Sequence, residues 1–282
     1  MRATAPALRP IRGPSALGGD PRRFLNLTRT IAVSEFKLRF YGSALGYLWQ
    51  LMRPLMLFGI LWVVFTQLVR LGGTQTAFFP VVLLTGIVLF TFFAEATTGA
   101  VASVLNREGL VRKIHFPRLV IPLSVVLTAG FNLALNLLVV AAFAVISGVR
   151  PRLSWLQAPL LVLALAVLAT GVAMLLSALY VRYRDVGPIW DVILQVLFYG
   201  SPVLYPLEVV PERWMGQVMM LNPFAAILQQ IRHAVIDPSA ASAAAAIGGA
   251  WRLLVPAGVV LGVFALGFWV FNREAPRIAE EL

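Results

Sequence analysis

Long apolar runs alternate with short charged clusters along this chain, and the lengths of the runs suit a membrane. Residues 79–101, 120–147, 156–179 and 253–271 each approach or exceed the roughly 20 apolar residues of a helical crossing, and a first run begins at Leu51 or Pro54 and ends at Val69. A shorter run, 189–201, supplies another. Helix-length runs without ten-residue alternating segments exclude a transmembrane barrel. The pattern predicts an all-α integral membrane protein with six transmembrane helices and both termini cytoplasmic.

Between the fifth and sixth crossings the pattern breaks. SPVLYPLEVVPERW (201–214) and PFAAILQQIR (223–232) hold Pro202, Pro206, Pro211 and Pro223, so no straight helix runs through them. The segment is too apolar for a solvated loop, yet it carries Glu208, Glu212, Arg213, Gln229, Gln230 and Arg232. Re-entrant helices at the outer face account for both facts, provided that protein or water satisfies their free backbone groups. A spanning helix over 218–236, with seven crossings and an external C-terminus, is the competing arrangement.

Ahead of the first crossing, Phe24, Leu27, Ile31 and Leu38 recur at helical spacing among Arg22, Arg23, Arg29, Glu35, Lys37 and Arg39. This predicts an amphipathic interface helix over 22–41, its cationic face toward lipid headgroups. Residues 1–21, rich in Arg, Pro and Gly and without an apolar core, read as a flexible cytoplasmic tail and not as a secretory signal. The division that follows is tail 1–21, interface helix 22–41, transmembrane domain 42–272 and cytoplasmic tail 273–282.

Charge fixes the expected orientation. Composition is 60% apolar against 12% charged, with a net charge of +11 that could suggest nucleic acid. All but six of the 23 Lys and Arg, however, fall in the segments assigned to the cytoplasm; the six are Arg70, Arg150, Arg152, Arg213, Arg232 and Arg252. That asymmetry is a topology signal and implies membrane lipid, not nucleic acid, as the partner. VLNREGLVRKIHFPR (104–118) is the densest cluster, with Arg107, Arg112, Lys113, Arg118 and partly charged His115 between two crossings. Gly109 and Pro117 bracket a short helix there, a handle for a soluble partner or a loop that only sets topology. VRYRDVGP (181–188) is a second cytoplasmic loop.

Polar groups inside the runs are few. Glu95, near the inner end of the second crossing, needs an arginine, protein or water; it is a structural pair or a pathway group. Asn132 and Asn136 share one face of the third crossing and suit interhelical hydrogen bonds. Asp191 is expected in the first turns of the fifth crossing, beside unsatisfied N–H groups. No phosphate-binding glycine loop, HExxH or GxSxG occurs. The two histidines, His115 and His233, lie far apart in sequence, and there is no cysteine. Neither a metal site nor catalysis is indicated, and a cysteine-free chain suits any redox compartment.

Four ordered blocks carry a resemblance: LRFYGSALGYLWQLMRPLMLFGILWVVF (38–65), NREGLVRKIHFPRLVIPLS (106–124), VRYRDVGPIWDVILQVLFYGSPVLYPLEVVPERW (181–214) and LNPFAAILQQIR (221–232). Together they resemble the membrane subunit of a type-2 ABC exporter of the polysaccharide or polyol-phosphate branch, which exports O antigen, capsule or teichoic acid. The resemblance implies a bacterial inner-membrane permease that pairs with a second copy of itself and with two copies of a separate ATPase. ATP and Mg would be bound by that ATPase, with no cofactor in this chain. Arg107, Glu108, Leu110, Arg112, Lys113 and His115 would form the main ATPase-coupling element, and Arg182, Arg184 and Asp185 a smaller contact. Tyr41, Tyr47, Trp49, Trp62, Phe65, Tyr199 and Tyr205 would line the substrate pathway. Arg39 and Arg53 would meet the headgroup of a polyprenyl-diphosphate-linked glycan. An exporter of a drug or ordinary lipid shares this assembly with a different lining; a non-ABC secondary transporter or a membrane scaffold would need no ATPase.

Overall fold

The computed structural model describes residues 20–39, 41, 46, 48–68, 78–109 and 116–275, and every regular element among them is helical. The amphipathic segment forms α1 (Pro21–Leu38). Asp20 caps it by accepting from the backbone N–H groups of Arg22 and Arg23. Its buried stripe is narrower than the sequence period suggests. Thr28 and Ala32 are buried and Phe24, Leu27 and Ile31 pack on the bundle, whereas Leu38 is exposed.

The long runs become α2 (Leu48–Val63, continued by a π turn over Val64–Leu68), α3 (Phe79–Val101), α4 (Val120–Ile146), α5 (Gln157–Arg182) and α10 (Leu254–Glu274). With their short helical extensions, these are five helices long and apolar enough to cross a membrane. The run expected as the fifth crossing is α6 (Val186–Gly200), which is apolar but only 15 residues long. It starts three residues earlier than expected, with Gly187 and Pro188 in its first turn. Asp191 therefore lies beyond that turn, at an exposed position, and does not complement the free N–H groups as the sequence suggested. The proline-rich stretch folds into short pieces: a 3-10 turn at Leu207–Val209, α7 (Arg213–Met219) and α8 (Pro223–Ile231), the last extended by a π turn over Arg232–Ile236. A single turn and a half, α9 (Ala243–Ile247), precedes α10.

The core is α3, which packs on α2, α4, α5 and α6 and buries most of its length. On the other side of α5 lies α10, and two glycines set the separation: a Cβ on Gly267 would stand 2.1 Å from the Gly171 carbonyl oxygen. In contrast, α2 touches mainly α3, and Pro54 is its one buried residue. The helix starts six residues before Pro54 and not at it, so the proline lies inside α2 and leaves the Gln50 carbonyl without its intrahelical N–H.

One apolar cluster joins Phe24, Leu27 and Ile31 of α1, Val104, Phe116, Leu119, Val120 and Ile121, the last turns of α5 and Phe271 and Ala275 at the end of α10. Both described ends of the chain thus lie at the same end of the bundle, together with the 102–109 segment. At the opposite end, Gly148 turns the chain with φ +88 after α4. There Trp155 Nε1 donates to the Val235 carbonyl (2.9 Å), Ser154 Oγ to Ala234 (2.5 Å) and Gln229 Nε2 to Ala241 (2.6 Å). These side chains satisfy carbonyls that short, broken helices leave open.

Candidate functional site

Because α2 leans mainly on α3, a space opens between α2, α3, α4 and α6. It is a cleft of about 830 Å³ with three charged residues in its wall: Arg39 just past α1, Arg53 on α2 and Glu95 on α3. Gln50, Thr91, Thr98, Asn132, Asn136 and Gln195 add uncharged polar groups. Its aromatic surface comes from Trp49, Phe90, Phe198 and Tyr199, with the rings of Phe90 and Phe198 4.7 Å apart.

The charges are arranged unevenly. Glu95 Oε1 accepts from Arg39 and from Asn132 Nδ2 (2.8 Å), so the carboxylate has both an ionic and an amide partner. Asn132 therefore links α4 to α3, while Asn136 Nδ2 donates back to the Asn132 carbonyl within its own helix (2.9 Å). Arg53 faces the same cleft without a carboxylate beside it among the described residues.

Of the seven aromatic residues selected from sequence, the structure brings Trp49 and Tyr199 to the cleft. Tyr205 lies next to it, its hydroxyl donating to the Tyr199 carbonyl (3.0 Å). Trp62 and Phe65 sit further along α2, where Trp62 stacks near Phe58 and Phe65 packs edge-on against Phe79, 6.3 Å between centroids. Tyr41 is 89% exposed and outside the lining. Tyr47 lies outside the described residues. Sequence reasoning did not select Phe90 and Phe198, whose signal is only that α3 and α6 place them on the faces turned toward α2.

At the end of the bundle that holds α1, Arg107 forms an ion pair with Glu35 and donates to Ser124 Oγ (3.2 Å). It thus ties α1, the turn after α3 and the start of α4 to one another. Glu108 follows it directly in the chain, whereas Leu110, Arg112, Lys113 and His115 lie outside the described residues. Arg118 is buried at the start of α4, and its Nη1 has no hydrogen-bond partner among the described residues. Burial lowers the pKa of both Arg107 and Arg118 from the ordinary arginine value, because removal from water disfavours the cation. The loop between α5 and α6 reaches the same end, since Gly187 approaches Tyr180 and Val101. Within it Arg182 lies over the Tyr183 ring and Arg184 over Tyr180, while Asp185 makes no side-chain capping bond. No group of three or more His, Asp or Glu gathers as a metal site among the described residues.

Comparison with known proteins adds identity to this geometry. Residues 26–236 match the model of the ABC-2 type transporter family. The O-antigen export system permease protein RfbA of Klebsiella pneumoniae is 28% identical over 91% of this chain and 95% of its own length. Its namesake from Myxococcus xanthus is 27% identical over 73% and 78% of the respective chains. The polysialic acid transport protein KpsM of Escherichia coli is 24% identical over 72% and 78%.

Proposed function

This chain belongs to the ABC-2 type transporter family, and from that premise we propose that its cleft is one wall of an export path for a polyprenyl-diphosphate-linked polysaccharide. The chain is a multi-pass inner-membrane protein, similar to polysaccharide-export permeases over most of its length. The observation that carries the reading is the composition of the cleft, where aromatic faces alternate with amides and two arginines in about 830 Å³. A hydrated glycan cannot dissolve in lipid. Aromatic faces and amide groups offer successive weak contacts that replace its water one sugar at a time. Arginines at the mouth suit a diphosphate, whose oxygens accept paired guanidinium hydrogen bonds.

In this reading a second copy closes the path. The helices α2 and α6, which both line the cleft, also carry exposed apolar residues, among them Met56, Ile60, Val192 and Val196, and a facing copy would cover them. ATP, with Mg, is hydrolysed by two copies of a separate ATPase subunit that grip residues 107–115 and, more lightly, 182–185. The end of the bundle that holds α1 is then cytoplasmic, α6 is the fifth crossing and α10 the sixth, and 202–236 re-enters from the outer face between them. This chain breaks no bond in the cargo.

The test is ATP hydrolysis in liposomes that contain the chain and its ATPase, with and without the lipid-linked glycan, beside a variant carrying Arg112→Glu and Lys113→Glu. Stimulation by the glycan that falls at least severalfold in the variant is the expected result. Stable assembly without any glycan response indicates a drug or ordinary lipid as cargo. Failure to bind any ATPase removes the reading.

A further inference from the structure

We propose that Glu95 is a resident counter-ion of Arg39, which an anionic cargo headgroup displaces when it enters the cleft. The inference rests on the reading that the cleft receives a phosphate or diphosphate group, and it adds how that site is held ready and regulated.

The argument begins with a contrast between two ion pairs. Arg232 and Glu208 join the π turn after α8 to the Leu207–Val209 turn through a 2.8 Å bond, with Arg232 only 4% exposed and two more of its nitrogens buried without a partner among the described residues. In that pair the guanidinium is buried and only the Glu208 carboxylate, 37% exposed, reaches the surface, so an entering anion does not reach the arginine. The Arg39 and Glu95 side chains are 44% and 24% exposed, and both line the cleft. An ion pair open to a cleft exchanges partners at low cost, because water and an entering anion reach the guanidinium. A carboxylate alone in a span would be expensive, so it needs company when Arg39 leaves. Asn132 provides that company: its Nδ2 stays within 2.8 Å of the same carboxylate oxygen and holds the side chain against α4.

Charge balance gives the exchange its consequence. The charged side chains facing the cleft from α2, α3 and the residue after α1 are Arg53, Glu95 and Arg39; α4 and α6 contribute only amides. Among the described residues the cleft wall carries a single net positive charge, enough to draw an anion yet partly neutralised. Once a headgroup takes Arg39, that arginine and Arg53 act on it together, while Glu95 repels it and favours release. Glu95 therefore tunes affinity downward, a useful property where cargo must leave as well as enter.

The experiment uses the full chain with its ATPase in phosphatidylcholine nanodiscs, with a fluorescent polyprenyl diphosphate as probe, uncharged polyprenol as control and inorganic diphosphate as the soluble anion. Glu95→Gln keeps the side-chain volume and an oxygen that accepts from Asn132, and is expected to tighten diphosphate-lipid binding by about five- to tenfold, less at high salt. Arg39→Gln is expected to weaken binding and to shrink the difference between Glu95 and Gln to about twofold or less, since only the direct repulsion by Glu95 then remains. The same gain with inorganic diphosphate supports the exchange with a soluble anion as its source. Wild-type binding that is unchanged in Glu95→Gln overturns the counter-ion role and leaves the headgroup reading intact. Equal tightening toward polyprenol also overturns it, because a loosened cleft would then be the cause. No diphosphate binding in any variant overturns both.

Discussion

At the scale of single residues, Gly267 is the position with least freedom. Its missing Cβ leaves room for the Gly171 backbone, and backbone, unlike a side-chain tip, cannot rotate away. Gly267→Ala is expected to lower the stability of the purified protein by about 1–3 kcal/mol, despite alanine's better helix propensity. Gly262→Ala, in the same helix with nothing within 4 Å of the added methyl, is expected to be neutral or slightly stabilising. Thermal-unfolding midpoints in one detergent distinguish them; equal midpoints would show that α5 and α10 adjust their separation freely. Sequence shows both glycines as small residues in apolar runs but not which one meets a backbone. The same holds for the aromatic residues. Side-chain type and interfacial position select Tyr41 as readily as Trp49, and only packing sets Trp49 in the cleft and Tyr41 outside it.

Among the elements, α1 is the one whose contacts suggest more than support. It carries Glu35 and Arg39 one helical turn apart; the first pairs with Arg107 after α3 and the second with Glu95 on the cleft wall. A displacement of the 102–109 segment is therefore transmitted to α1 by an ion pair near the proposed ATPase contact. Reversing Glu35→Arg or Arg107→Glu alone is expected to reduce glycan-stimulated ATP hydrolysis severalfold, and reversing both to restore much of it, with a coupling energy of about 1 kcal/mol. Additive losses in the double variant would mean that the pair is incidental. The amphipathic period of α1 is legible in the sequence, as are the long helices, because burial in lipid or protein imposes a continuous apolar stretch. Its partners are not legible: Glu35 and Arg107 are separated by two helices, and no local pattern links them. Nor is the π continuation of α2 or the early start of α6, where propensity is weak and tertiary contacts decide.

For the whole molecule, the question is how α6 and the broken segment after it sit in the membrane. A helix of 15 residues reaches roughly 22 Å, against roughly 30 Å of hydrocarbon. If α6 starts at the cytoplasmic surface, its far end stops inside the bilayer, and the chain from Ser201 onward begins at membrane depth. Non-helical backbone is tolerated there only when protein satisfies it. The side-chain bonds of Trp155, Ser154 and Gln229 do this for carbonyls of the stretch that follows, and Asn222 both caps α8 and reaches Ser201 Oγ (3.0 Å). The segment can thus return to the outer face without a further crossing, and α10 brings the chain back to the end where α1 lies. The absence of cysteine makes this directly measurable, since each introduced thiol is the sole label site. In intact cells, cysteines placed at exposed Arg152, Glu212 and Trp251 are expected to react with a membrane-impermeant maleimide, and one at exposed Arg184 only after permeabilisation. Labelling of Arg184→Cys from outside would invert the bundle. Protection of Glu212→Cys, with Arg152→Cys labelled, would instead bury that segment and require a different path from α6 to α10.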